Sequence, residues 1–339
     1  MSKKIKNMFP IHRGRRLRVN ESIRSLVRET SLSPADFMFP MFIMEGENTK
    51  VEIPSMPGIF RRTLDLTVEE VKELFALGIR AVNIYVKVSD DLKDNTGKEA
   101  WNDNGLMQRA IRAIKAACPE MIVMPDVALD PYSIYGHDGI IEKGDIANDA
   151  TNDALVKMAV SHAQAGADFV APSAMMDGRV LRLRQGLDAA GFHNVGIMSY
   201  SAKYASAFYG PFRDALDSAP KDADVEVPKD KKTYQMDYAN RIEAVKEALW
   251  DVEEGADMVM VKPGIAYLDI VREVKNAVDV PVTVFHVSGE YAMIKAASER
   301  GWLDHDKIMM EQLMCIKRAG ASLISTYFAK EAAILLNKK

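Results

Sequence analysis

The chain has 339 residues, of which 48% are hydrophobic and 27% are charged, and its formal net charge is -4. This composition is typical of a soluble protein with a large core, built as two domains or as one large α/β barrel. No apolar run approaches the roughly 18 residues of a membrane span, so we expect no membrane partner.

The chain begins with a basic segment, MSKKIKNMFPIHRGRRLRVNESIRSLVRE. It lacks the apolar h-region of a secretory signal, so we expect residues 1–34 to form a solvated or subunit-contacting arm. An organellar transit peptide and a nucleic-acid patch are the alternatives, and we favour no nucleic-acid partner. Cys118 and Cys315 are far apart and have no CxxC partner, which suits a reducing cytoplasm and gives no zinc-finger or disulfide framework.

One local pattern recurs along the chain: an amphipathic segment ends at a glycine, and a short apolar run follows. It occurs in LFALGIRAVNIYV, AQAGADFVAP, VEEGADMVMV and KRAGASLIST. The glycines are placed to end a helix in the left-handed conformation before a buried strand begins; they are Gly78, Gly166, Gly255 and Gly320. The pattern therefore predicts four helix-to-strand joints.

Four further apolar runs, FMFPMFIM, MIVMPDV, NVGIMSY and PVTVFHVS, bring the predicted strands to eight. They begin near residues 37, 79, 121, 168, 195, 257, 281 and 322. Strands that alternate with helices in this way predict a (β/α)8 TIM barrel over residues 35–339. A doubly wound open sheet is the alternative, although no GxGxxG follows the first strand.

In such a barrel the chemistry lies where the strands end. The predicted strands run into Asp126, Ser173, Ser201, Lys203, Lys262, His286, Ser288, Ser325 and Tyr327. Two lysines therefore point to one mouth. The charged segment 218–236 is longer than most barrel loops, so we expect either an active-site lid or a mobile solvated loop.

A lysine at the end of a buried strand has a simple explanation, namely pairing with a carboxylate. Two such lysines at one mouth favour another explanation. A free lysine has a pKa of about 10.4, and burial beside a second ammonium lowers it and creates a nucleophile. Such an amine forms a Schiff base with a ketone or aldehyde, and Arg213 nearby offers a planar fork for a carboxylate.

Several long segments make the chain resemble the porphobilinogen synthase family, also called 5-aminolevulinate dehydratase. They are DVALDPYSIYGHDG, SAKYASAFYGPFRDA, MVMVKPG, VSGEYAM, PSMPG and TYFAKEAA, and the resemblance runs from about residue 9 to residue 336. It implies a barrel with an N-terminal arm, a homo-octamer, and condensation of two 5-aminolevulinate molecules to porphobilinogen in tetrapyrrole (heme) biosynthesis.

The resemblance also implies roles for individual residues. Lys203 would form the Schiff base with the first substrate molecule and Lys262 with the second. Asp126 would handle protons or orient an amine. The remaining expected substrate contacts are Arg213, Lys231 and Gln235 for the second substrate, Ser288 and Tyr327 for the first, and Tyr209 and Ser173 as pocket lining.

Some members of this family hold a catalytic zinc with three cysteines. In this chain the three matching positions are occupied by Ala128, Asp130 and Asp138. Carboxylates suit magnesium, so we expect no cysteine-bound zinc and assign the chain to the aspartate-rich, magnesium-responsive branch. Asp130 and Asp138 are candidate metal ligands, and His137 is a possible further one. By resemblance, Glu247 would bind an allosteric Mg2+.

Three departures from the family pattern stand out: Ala174 replaces an aspartate, Tyr135 replaces a frequent histidine, and NIYVKVSDD replaces a more apolar turn. None removes a lysine, so we expect the activity to be retained. A lysine-dependent class I aldolase would leave Lys203 unexplained. A catalytically silent barrel that acts as a binding or assembly protein is the remaining alternative.

Overall fold

The computed structural model describes residues 11–221 and 226–338. The chain divides into two compact units, one ending at Ser31 and one beginning at Leu32. In the first unit, a 3-10 helix (Gly14–Arg18) precedes the short helix α1 (Glu21–Leu26), and the side chain of Asn20 accepts a hydrogen bond from the Ile23 amide at 3.0 Å. Residues 1–10 of the predicted arm lie outside the described residues, and the role of the arm stays a prediction.

The second unit is a closed barrel of eight parallel strands. The strands are β1 (Phe37–Met44), β2 (Ala81–Lys87), β3 (Ile122–Val127), β4 (Phe169–Pro172), β5 (Gly196–Lys203), β6 (Met258–Lys262), β7 (Val282–His286) and β8 (Leu323–Thr326). They pair in sequence order, and β1 also pairs with β8, which closes the sheet. The TIM barrel is therefore confirmed, and the open-sheet alternative is wrong because an open sheet leaves its edge strands unpaired.

Helices separate the strands along the chain. They are α2 (Leu64–Ala76), α3 (Leu106–Ala117), α4 (Asn148–Ala165), α5 (Arg179–Ala189), α6 (Gly210–Leu216), α7 (Ile242–Glu253), α8 (Leu268–Ala277), α9 (Ser288–Glu299), α10 (His305–Ala319) and α11 (Ala329–Asn337). The four predicted helix-ending glycines have φ angles of +93°, +104°, +108° and +129°. A side chain is strained at such angles, so these glycines end their helices as predicted.

Two short antiparallel hairpins are added to the barrel. Lys50–Glu52 pairs with Phe60–Arg62 beside β1, and Ile141–Glu142 pairs with Asp145–Ile146 after β3. Among the described residues, no helix is long and apolar enough to cross a membrane.

Aromatic rings fill part of the barrel interior. Phe42 on β1 lies 5.8 Å from Tyr85 on β2, and Tyr200 on β5 lies 6.5 Å from Phe285 on β7, measured between ring centroids. The hydroxyls of Tyr85 and Tyr200 are 2.9 Å apart. Strands from opposite sides thus meet in one packed core, which supports the side chains at the carboxyl ends of the strands.

Candidate active site

Lys203 and Lys262 are the last residues of the adjacent strands β5 and β6, and they are partners in the strand register. Both are buried, with 6% and 5% of their surface exposed. Between Val259 and Val261 the register shifts by one residue, because β5 carries an extra residue there. Such a bulge changes the direction in which side chains point, so that Tyr200 and Lys203 both face the interior although they are three positions apart.

Lys262 lies among aromatic rings. Its Nζ is 4.3 Å from the ring centroid of Phe285, 4.9 Å from that of Phe212, and 5.2 Å from those of Tyr200 and Tyr209. Burial, reinforced by the positive charge of Lys203, lowers the pKa of Lys262 to about 7. A substantial fraction of this amine is therefore neutral near neutral pH and able to attack a carbonyl carbon.

Lys203 has a different environment, because it is held by oxygen atoms. Its Nζ donates to Asp138 Oδ2 at 3.0 Å and to the Ser173 carbonyl at 2.5 Å. The other oxygen of Asp138 accepts from Lys231 Nζ at 2.6 Å. Burial alone would raise the pKa of Asp138, but the two ammonium groups outweigh burial and hold that pKa well below its usual range.

Asp126 lies at the carboxyl end of β3, and its pKa is shifted in the opposite direction from that of Asp138. Burial and the nearby charge of Asp130 raise the pKa of Asp126 to about 7. Its Oδ1 atom has no hydrogen-bond partner among the described residues. A buried carboxyl group that is partly protonated near neutral pH can both donate and accept a proton. Asp126 therefore has the protonation behaviour that a general acid–base group needs.

Four of the seven predicted substrate contacts line a small cavity of about 30 Å³ beside the two lysines. It is lined by Asp130, Lys203, Tyr209, Phe212, Arg213, Ser218, Lys231, Gln235 and Lys262. Such a volume holds about one water molecule. The structure thus brings together most of the predicted residues around one small cavity.

Ser288 and Tyr327 are not among the residues that line this cavity. The buried hydroxyl of Tyr327 has no partner within the described protein, and its ring stacks on Phe42 and lies 6.1 Å from Phe285. Ser288 Oγ accepts from the Phe212 amide at 3.0 Å and donates to the Phe208 carbonyl at 3.3 Å. Ser288 therefore touches the α6 segment that precedes Arg213.

The predicted lid, 218–236, packs on the loop that follows β3; its residues 222–225 lie outside the described residues. His137 connects the two segments, since its Nε2 contacts the Pro228 carbonyl at 2.8 Å and its Nδ1 contacts the Tyr234 hydroxyl at 3.1 Å. The Lys221 amide donates to the Tyr135 carbonyl at 3.1 Å. Both nitrogens of His137 are thus engaged by protein atoms, and none is left for a metal ion in this closed arrangement.

Several residues of the site were not predicted from the sequence. The rings of Phe212 and Phe285 were missed because they come from α6 and β7, far from Lys262 in the chain. Their signal in the sequence was weak, since an aromatic residue in a buried strand or in a short helix is ordinary. Ala174 is fully buried next to Ser173, and nothing in the structure explains why it replaces an aspartate.

His286, at the predicted end of β7, does not reach the mouth. Its ring lies toward the helices, 3.1 Å from Thr326 Oγ1 and 3.1 Å from Gln312 Oε1.

Glu247 lies on α7 in a second pocket of about 440 Å³, which Lys203 and Lys262 do not line but which shares Gln235 with the small cavity. Asp145, Asp177, Glu243 and Lys232 also line this pocket. Burial raises the pKa of Glu247 to about 7; Arg179 opposes this effect, and Asp251 adds to it. Among the described residues, no group of three or more His, Cys, Asp or Glu side chains is arranged to hold a metal ion.

A closed TIM barrel whose strands end in buried lysines and carboxylates has the architecture of a TIM-barrel enzyme, in which the active site lies at the carboxyl ends of the strands. The family model described as "Delta-aminolevulinic acid dehydratase" matches residues 11–335. The chain belongs to this family of lyases.

Individual proteins agree with this assignment. A delta-aminolevulinic acid dehydratase of Synechococcus elongatus is 50% identical over 330 residues, covering 96% of this chain and 99% of that protein. A chloroplastic one of Chlamydomonas reinhardtii is 54% identical over 325 residues, covering 95% of this chain and 83% of that protein. The Toxoplasma gondii enzyme, solved in complex with the reaction product porphobilinogen, superposes with a TM-score of 0.92 at 47% identity, covering 96% of this chain and 91% of that one.

Proposed function

We propose that this enzyme condenses two molecules of 5-aminolevulinate to porphobilinogen, with release of two molecules of water, through Schiff bases on Lys203 and Lys262. The observation that carries the proposal is the register pairing of two buried lysines whose amines have opposite surroundings. One is surrounded by aromatic rings and the other by oxygen atoms, so each can hold one substrate molecule in its own orientation.

Lys262 supplies the neutral amine. It attacks the keto carbon of a substrate molecule, the carbonyl oxygen gains protons and leaves as water, and a carbon–nitrogen double bond remains. Asp126, with its pKa of about 7, is suited to donate a proton to the departing oxygen and to accept one later from the acidified carbon. Lys203 reacts in the same way after its ammonium releases a proton and leaves Asp138.

The charged groups of the small cavity suit a carboxylate-bearing substrate. Arg213, Lys231 and Gln235 line the space beside Lys262, and a guanidinium can bind a carboxylate with two parallel hydrogen bonds. Ser288 and Tyr327 offer hydroxyls for the carboxylate of the other molecule. The expected result of this arrangement is that two copies of one substrate bind in different orientations.

We assign the chain to the magnesium-responsive branch, with Glu247 as the ligand. The carboxylate oxygens of Glu247 are of the hard type that Mg2+ prefers, and Mg2+ commonly binds one or two carboxylates and keeps several waters, so a cluster of three acidic side chains is not required. The bound ion would neutralise this acidic pocket. Asp130 and Asp138 fit a metal less well, because both oxygens of Asp138 bond lysines. Their metal role stays a prediction, as does the expectation of no cysteine-bound zinc.

A homo-octamer and a cytoplasmic location complete the proposal. The resemblance supports the octamer, and the two free cysteines are compatible with a reducing compartment.

The test is borohydride trapping of the full-length protein with 5-aminolevulinate, read by peptide mass spectrometry, beside a colorimetric pyrrole assay with and without magnesium and a chelator. Adducts on both lysines together with pyrrole are the expected result. An adduct on Lys262 alone without pyrrole would favour an aldolase-type enzyme. Neither adduct nor pyrrole would contradict catalysis and favour a binding or assembly role.

A further inference from the structure

Glu290, in the first turn of α9, is a buried carboxylate that the proposed chemistry does not use. Only 4% of its surface is exposed, and no ion pair of Glu290 occurs among the described residues. A buried carboxylate without a cation is costly unless hydrogen bonds compensate for the lost water. Its position therefore requires a reason.

Burial raises the pKa of Glu290 to about 7, and backbone amides offset part of that effect; most of these amides belong to the turn that follows Lys262. The Ile265 amide donates to Glu290 Oε1 at 2.6 Å, and the Gly264 amide donates to Oε2 at 3.2 Å. The Val287 amide, at the start of α9, donates to Oε2 at 2.8 Å. One carboxylate thus joins the residues after β6 to the helix that follows β7.

The backbone at Gly264 packs closely against Glu290 and β7, so that a side chain at this position would have little room. A Cβ atom there would lie 3.1 Å from the Phe285 carbonyl oxygen and 3.3 Å from Glu290 Oε2. The Lys262 carbonyl accepts from the Tyr204 amide at 3.0 Å and from the Tyr209 hydroxyl at 3.2 Å. The backbone that follows the Lys262 Cα atom is therefore held at two points, by Tyr204 and Tyr209 at the carbonyl and by Glu290 at the next amides.

The first turn of α9 also contacts the segment that contains Phe208 and Phe212. Ser288 bonds the Phe208 carbonyl and the Phe212 amide, and a Cβ atom on Gly289 would lie 2.5 Å from the Phe208 carbonyl oxygen. Phe212 in turn forms part of the ring cluster around Lys262. The first turn of α9 is thus a common support for Lys262 and for the segment that carries Arg213.

We propose that Glu290 is a positioning residue for Lys262, which fixes the strand end so that the amine stays among its aromatic rings and reaches the second substrate molecule. Among the described residues, the amine of Lys203 is held by Asp138 and Ser173 and not by Glu290. Glu290 therefore holds the strand end of Lys262 directly and reaches Lys203 only through the pairing of the two strands. The inference rests on the proposed function, because it assumes that both lysines form adducts.

The experiment compares borohydride trapping of Lys262 and Lys203 in the wild-type protein, in Glu290→Gln and in Glu70→Gln. Glutamine has the shape of glutamate, but its side-chain NH2 group is a donor and would face backbone amides that need an acceptor. We therefore expect the end of β6 to shift. A misplacement of about 1 Å costs on the order of 100-fold. We expect the rate of Lys262 trapping to fall about 10- to 100-fold while Lys203 trapping stays within about twofold of wild type.

Glu70→Gln is the matched control, because Glu70 is also buried but pairs with Arg62 and Lys330 on the outside of the barrel. It should leave the ratio of the two trapping rates unchanged, even if it lowers the melting temperature. Equal loss at both lysines in Glu290→Gln, or no loss at either, would overturn the positioning role. Absence of adducts in the wild-type protein would instead contradict the proposed function.

Discussion

Lys203 and Lys262 occupy paired positions on neighbouring strands, yet their amines have opposite partners. Lys203 bonds a carboxylate and a carbonyl, whereas Lys262 contacts four aromatic rings. A charge among rings in a dry interior is less well compensated than one beside a carboxylate. The two amines are therefore prepared differently before any substrate binds.

Replacement of Lys262 by methionine tests its role as a nucleophile. Methionine keeps much of the side-chain volume among the rings, so the fold should be retained. Loss of a catalytic nucleophile typically costs at least about a thousand-fold in turnover, and we expect pyrrole formation to fall by at least that factor. The pyrrole assay measures it, with Lys98→Met at an exposed position as the control. Pyrrole formation within tenfold of wild type would rule out the assigned role.

The pH dependence of Lys262 trapping should follow its lowered pKa. The amine is neutral above that pKa, so the rate should rise with pH through about 7 and level off above it. Lys203→Met removes a like charge that lowers the pKa of Lys262, so the rise should move to higher pH in that variant. Trapping rates across a pH series give both curves. Superimposable curves for the two proteins would show that the lysines do not interact electrostatically.

Asp138→Asn should destabilise the fold, because it leaves two buried ammonium groups without their shared carboxylate. Breaking a buried ion pair costs about 3–5 kcal/mol, so we expect a loss of that order in the free energy of unfolding. Asp153→Asn, which removes an exposed pair with Arg182, should cost at most about 1 kcal/mol. Denaturant unfolding measures both variants, and equal losses would contradict the interpretation.

The stabilisation by Asp138 also has a pH signature. Its folded-state pKa lies below the unfolded value of about 3.9, so the wild-type advantage over Asp138→Asn is fully present above that value. It is lost as pH falls through the folded-state pKa. An advantage that grew on acidification would contradict the assigned ion pairs.

The barrel and its two lysines could be predicted from the sequence because the signals are local. A buried apolar run that ends on a charged residue is visible in MVMVK, and a glycine before each of four strands marks the end of a helix. The strand starts agree with the prediction to within two residues, since buried parallel strands are continuous apolar runs.

The environment of each lysine could not be predicted, because it depends on residues far apart in the chain. Phe285 reaches Lys262 from the next strand, and the bulge that turns Lys203 inward exists only in the pairing of β5 with β6. Asp138 was expected as a metal ligand through the resemblance, whereas its two oxygens bond Lys203 and Lys231. A carboxylate in a loop does not reveal in sequence which cation it faces.

Glu247→Gln should abolish stimulation by magnesium while activity without the metal is retained, because Glu247 lies in a pocket that Lys203 and Lys262 do not line. Mg2+ binds the ionised carboxylate, and burial raises the pKa of Glu247 to about 7. Magnesium affinity should therefore rise with pH up to about 7, by as much as tenfold per pH unit, and level off above it. Calorimetric titration of the whole protein with Mg2+ at pH values below and above 7 measures this dependence. Glu253→Gln, at an exposed position of the same helix, should bind and respond like wild type. Unchanged stimulation in Glu247→Gln would show that magnesium acts through a different site.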